Sequence, residues 1–133
     1  MKALTQNMID SGKKFVEILI ESSATPKAAF WIYNQEVDNW MLLMSHVDSI
    51  DDNHDMFDQL VANKYTSNEG ELPDLEISDI GLAQVNAPIL ELLDSVVNTG
   101  DETLGINFSQ EEINGTVLDG VYLYRMNITQ MKL

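Results

Sequence analysis

Apolar side chains recur along this chain in two periods. Over residues 3–20, Leu4, Met8, Phe15 and Leu19 fall at steps of three or four across Ser11, and Val16 and Ile20 widen the stripe. That is the spacing of one face of an α-helix. The run Glu21-Ser22-Ser23-Ala24-Thr25-Pro26 breaks the period, because proline biases the residue before it away from helix. Residues 28–33 and 40–47 are rich in aromatic and aliphatic residues and are separated by polar residues 34–39, which predicts a β-hairpin. Both strands are apolar on both faces. One face therefore packs on helices, and the other is either covered as well or serves as an interaction surface.

A second helix is expected from Ser49, where Ser49-Ile50-Asp51-Asp52 sets a hydroxyl three residues before an acid. Ile50, His54, Phe57 and Val61 form its expected inner stripe, with Leu60 beside them, and residues 64–70 end it. Leu75 and Ile77 alternate with acids and suggest a short strand. A third helix is expected over 87–97, with Asn86 as cap, Pro88 in the first turn and Gly100 just past the end. Leu104, Ile106 and Phe108 then alternate with polar residues, a half-buried strand pattern. Asn114-Gly115 and Asp119-Gly120 are hairpin-turn signals, and residues 121–126 close the pattern as a strand. The order α-β-β-α-β-α-β-β predicts an α+β fold: an antiparallel or mixed sheet of about five strands with three helices packed on it.

Two stretches resemble a known family. Lys27-Ala28-Ala29-Phe30-Trp31-Ile32-Tyr33 followed by Asn39-Trp40-Met41-Leu42-Leu43 is similar to the opening of an uncharacterised family of small bacterial α+β proteins. Gly105-Ile106-Asn107-Phe108, Ile113-Asn114-Gly115 and residues 118–126 resemble their C-terminal end. The resemblance covers residues 27–47 and 104–126. It implies a shared fold and carries no activity.

Length and composition narrow the classes. The 133 residues suit one domain, and 44% hydrophobic residues with only three prolines suit a packed core rather than a disordered tail. Without cysteine there is neither a disulfide framework nor a zinc–thiolate site. No apolar run is long enough to span a membrane, and the first residues lack the pattern of an export signal, so a cytoplasmic location is expected.

Charge changes the picture most. There are 22 acids against seven bases, and between Glu36 and Asp119 stand 19 acids and the single base Lys64. A net charge of −15 repels nucleic acid and anionic membranes and draws cationic partners. It also serves plain solubility.

Catalytic signatures are sparse. There is no cysteine nucleophile, no Gly-x-Ser-x-Gly elbow and no glycine-rich phosphate loop. Asp51, Asn53 and Asp55 imitate the first ligands of a calcium loop, but Met56 replaces the required glycine and Ala62 the closing glutamate. On a helix, Asp51, His54 or Asp55, and Asp58 recur at one-turn intervals, either as a divalent-metal face or as a capped, solvated helix. The expectation is a non-enzymatic module without cofactor, binding a protein partner, basic in one version. The contacts would come from Asp51, Asp55 and Asp58 on the acidic helix, or from Trp31 and Trp40 if one strand face is a recognition surface rather than aromatic core and cross-strand pairs. Two alternatives stay open: an inhibitor that imitates nucleic acid towards a basic nuclease, and a metal-dependent enzyme using His46, His54 and Asp51. Direct nucleic-acid binding and membrane association are not expected, and self-association is left open.

Overall fold

Thr5 starts the first helix, its Oγ1 accepting the Met8 N–H at 3.2 Å. The computed structural model describes residues 3–50, 53–108, 112–113, 116–117 and 120–128. Helix α1 runs over Gln6–Glu21 and buries Met8, Phe15, Val16 and Leu19, the stripe read from the sequence, together with Ser11 and Gly12. Strands β1 (Pro26–Asn34) and β2 (Asn39–Val47) form the expected hairpin, with Trp31 opposite Leu42 and Tyr33 opposite Trp40.

Helix α2 spans His54–Ser67 and starts later than expected. Its cap is Asn53, whose Oδ1 accepts the Met56 N–H at 3.1 Å. Ser49 has φ of 74° and donates its hydroxyl to the Ser23 carbonyl at 3.0 Å, tying two loops together instead of capping the helix. His54 is exposed rather than part of the inner stripe, which Phe57 and Val61 supply. The expected strand at Leu75 and Ile77 is a turn followed by a 3₁₀ helix, η1 (Ile77–Asp79), and the strand β3 comes after it at Ile80–Leu82. A Leu75 N–H bond to the Leu72 carbonyl at 3.2 Å buries Leu75 and leaves Ile77 exposed.

Helix α3 is Pro88–Asp94, shorter than the apolar stripe suggests, with Ala87 rather than Asn86 in the cap position. Strand β4 is Ile106–Asn107, and β5 (Glu112–Ile113) pairs antiparallel with β6 (Thr116–Val117). The turn signals at Asn114, Gly115 and Asp119 lie outside the described residues. Strand β7 is Val121–Met126, as the alternation indicates.

The main sheet has the order β3-β2-β1-β7-β4. Among the described strands only β2 and β3 run parallel, so the connection between them must cross over, and α2 lies within it. The fold is therefore α+β with a mixed five-stranded sheet and three α-helices among the described residues. Alternation along the strands fills two cores. Ala29, Trp31, Trp40, Leu42, Met44 and Tyr124 pack with α1 and α2, while Ala28, Phe30, Val121, Leu123 and Met126 pack with α3. Between the pairs Phe30–Leu123 and Ala29–Arg125, strand β7 holds one extra residue, Tyr124, a β-bulge that turns this phenol towards α1.

On the C-terminal side of the bulge Arg125 is 3% exposed. Its Nε donates to the Pro26 carbonyl at 3.0 Å, and its Nη1 to the Asp101 carbonyl and Thr103 Oγ1, both at 3.1 Å. Burial lowers its pKa, against the opposing fields of Asp101 and Asp48. This one cation fastens the chain after α3 to the start of β1.

Candidate interaction surface

Trp31 and Trp40 are 0% and 4% exposed, so the reading of the sheet aromatics as a contact surface is corrected. The hairpin register sets both indoles on the sheet face that α1 and α2 cover. Trp31 Nε1 donates to Tyr124 Oη at 2.9 Å, and Tyr124 Oη in turn donates to the Ile9 carbonyl at 2.5 Å. The polar ends of these aromatics are thus engaged inside the core, where an unpaired N–H would be costly.

The acids fall into two exposed features. Asp55 and Asp58 are exposed on α2, one turn apart, while Asp51 lies outside the described residues. The second feature was not singled out from the sequence. Between α2 and η1, Glu69, Glu71, Asp74 and Glu76 are all exposed, and Asp79 at the end of η1 is buried. Leu72 and Leu75, both buried, anchor this loop beneath its carboxylates. Ser11 Oγ donates to the Pro73 carbonyl at 2.7 Å, Asn7 Nδ2 to Asp74 Oδ2 at 3.1 Å, and Lys14 Nζ lies 3.5 Å from Glu71. From the other side Tyr65 Oη donates to the Leu75 carbonyl at 2.5 Å. The phenol of Tyr65 is held above its ordinary range by burial first, then by the fields of Glu76, Glu69 and Asp79. Asp79 accepts a bond from Asn39 Nδ2 at 2.9 Å. The loop therefore presents negative charge from a fixed backbone. The available signal was the three-residue step between Leu72 and Leu75, which leaves the acids between and around them pointing outward.

Beside the N-terminal half of α2 lies a groove of about 320 Å³. Ala24, Ile50, Met56 and Leu60 give it apolar walls, and Gln59 and Asn63 line it from α2. Its rim includes Ser22 and Ser49 on the two loops that the Ser49–Ser23 bond joins. The Asp48 N–H bond to the Thr25 carbonyl at 3.0 Å adds a second tie.

The two histidines line neighbouring clefts, His54 from the first turn of α2 beside Asp55. His46, with φ of 50°, is half-buried at the end of β2, and its Nδ1 lies 2.6 Å from Ser45 Oγ. It lines a cleft of about 230 Å³ with Glu91 and Leu90, while His54 lines a neighbouring cleft; Val85 and Asn86 border both. Among the described residues no three of His, Asp and Glu converge in a way that could hold a metal ion. Nor is any helix among them long and apolar enough to cross a membrane. Comparison with known proteins finds no matching family model, no matching curated protein and no matching solved structure, so the functional reading rests on this surface alone.

Proposed function

We propose that the protein is a non-enzymatic interaction module that binds a cationic protein partner through the carboxylate-bearing loop at 69–79 and the adjoining exposed face of α2. The observation that carries this reading is the anchored loop itself: four exposed carboxylates within eight residues, held by two buried leucines and by bonds to α1 and α2. Charge held on a fixed backbone loses little freedom when a partner arrives, and complementary potentials speed encounter and select partners. Seven bases cannot neutralise 22 acids, so most of this charge faces solvent or a partner.

The test is capture of partners from an extract of the source organism, eluted in salt steps. Three baits are compared: the wild type, the set Glu69→Gln, Glu71→Gln, Asp74→Asn and Glu76→Gln, and the set Asp55→Asn and Asp58→Asn. The expected result is a basic protein released by moderate salt and reduced about tenfold or more by the loop set. If that partner is a nucleic-acid-binding protein displaced by DNA or RNA, the loop acts by imitating phosphate. Capture that ignores both salt and the two sets of substitutions refutes the reading.

A further inference from the structure

Strand β3 is an outer strand of the main sheet, with β2 on one side and no strand of the described residues on the other. The Ala83 N–H donates to the Met44 carbonyl at 2.8 Å, and the ladder sets Gly81 opposite Leu43 and Leu82 opposite Met44. In a parallel pair, alternate residues turn their main-chain groups to the partner strand. Gly81 and Ala83 therefore face β2, while Leu82 turns its N–H and C=O outward, beside the outward C=O of Ile80. The Ile80 N–H is already taken by the Ile77 carbonyl. An acceptor, a donor and a second acceptor thus stand in a row along the edge. A cleft of about 320 Å³ follows this row: its walls are the consecutive residues Leu82, Ala83, Gln84, Val85 and Asn86, with His54 from the start of α2. We propose that the edge of β3 receives an extended segment of the protein partner, which joins the sheet as a further strand. The inference rests on the interaction reading above and states how the partner's main chain is held.

The main-chain groups select the occupant. A helix spends its N–H and C=O groups internally and has none for this row, whereas an extended chain presents both from every second residue. A second copy of this chain is the poorer occupant. Two edges of three residues bury far less than the ~1,200–2,000 Å² of a stable interface, and each copy brings a charge of −15. A short edge suits a partner that also holds on elsewhere. The carboxylate loop is continuous with this edge: η1, whose N-cap is the exposed Glu76, runs straight into β3, and the bond from Ile80 to Ile77 fixes the junction. Bases at one end of the added strand therefore meet the charge of the loop. Val85, 45% exposed, and the half-buried Leu82 offer apolar contact to side chains of that strand, and β-branched residues suit it best.

The probe is the peptide Lys-Arg-Thr-Val-Thr-Val-Thr, titrated at low salt into the isotopically labelled full chain and followed by NMR. The expected result is slowed solvent exchange at the Leu82 amide, with shifts along 80–86 and at the His54 side chain. Two further peptides carry the same side chains, one N-methylated at both valines and the other at the first two threonines. Only alternate residues of an added strand face the edge, so one of these peptides should bind about three- to tenfold more weakly, the net worth of one hydrogen bond, and the other should be largely spared. Shifts confined to 69–79 and equal for all three peptides would overturn the edge and leave the charge-based reading standing. Exchange at Leu82 that slows with protein concentration alone would name a second copy as the occupant and overturn the proposal. Silence with every peptide would also remove the edge, and loss of salt-dependent partner capture, measured separately, would remove the wider reading.

Discussion

Gly12 is buried on α1 against two side chains of the sheet, Trp31 and Tyr124, and a side chain there has no room. A Cβ on it would lie 2.6 Å from Tyr124 Oη and 2.7 Å from Trp31 Nε1, the two atoms that form the buried bond beneath the helix. In an open helix Gly→Ala gains about 1 kcal/mol. Here the contact should win, and Gly12→Ala should cost about 1–3 kcal/mol as an overpacked core does. Tyr124→Phe should cost about 1–3 kcal/mol, because the Trp31 N–H loses its acceptor in a dry site. The two changes should not add: removing the hydroxyl removes the nearest atom that the new methyl meets, so the double variant should be more stable than the sum of the singles implies. Urea denaturation of the four proteins measures the coupling. Strict additivity would show that the helix shifts away from the sheet rather than pressing on the phenol.

Elements were legible from the sequence where period and tertiary environment agree. The hairpin β1–β2, strand β7 and the stripe of α1 alternate or recur in the periods that their two cores require. Where a partner elsewhere in the chain decides, the pattern misleads. Val96 and Val97 continue the stripe of α3, yet the helix ends at Asp94. Ser95 Oγ bonds back to the Leu92 carbonyl at 2.6 Å, and Thr99 pairs through its backbone with Met126, drawing the chain into extended form. The sequence leaves the tryptophans open between core and contact surface for the same reason, since only the hairpin register and the crossover through α2 reveal that their face is covered. The acidic loop was overlooked because its anchors, Leu72 and Leu75, take their meaning from α1 and Tyr65, which are distant in sequence. The start of α2 offers a direct check. Asn53→Ala should destabilise the protein by about 1 kcal/mol and speed amide exchange at Met56, as loss of an N-cap does. Ser49→Ala should leave that exchange unchanged, because its hydroxyl serves Ser23. The opposite pattern would return the cap to Ser49.

At the scale of the whole molecule, net charge and burial converge on the tyrosines. Tyr124 has its pKa raised, by burial above all, with the Trp31 bond opposing and the fields of Tyr122 and Asp10 adding smaller upward pushes. Tyr65 is raised by burial and then by the acidic loop. While the pH stays below the ordinary phenol value near 10, both groups are neutral folded and unfolded, and their contribution to stability is fully present. Above it the unfolded chain releases these protons while the fold retains them. The unfolded state then binds fewer protons, so stability must fall as pH rises, by up to about 1.4 kcal/mol per pH unit for the buried Tyr124 and by much less for the solvent-screened Tyr65. The two causes respond differently to salt, because screening weakens the field of exposed carboxylates and leaves the cost of burial in place. Urea midpoints taken from one unit below to one unit above ~10 should therefore decline in the wild type, and Tyr124→Phe should flatten the decline markedly. In that variant, added salt or the neutralised loop should flatten it further by relieving Tyr65. If Tyr124→Phe declines as steeply as the wild type, burial of this phenol is not the source, and the general repulsion of a chain already at −15 must carry the alkaline loss instead.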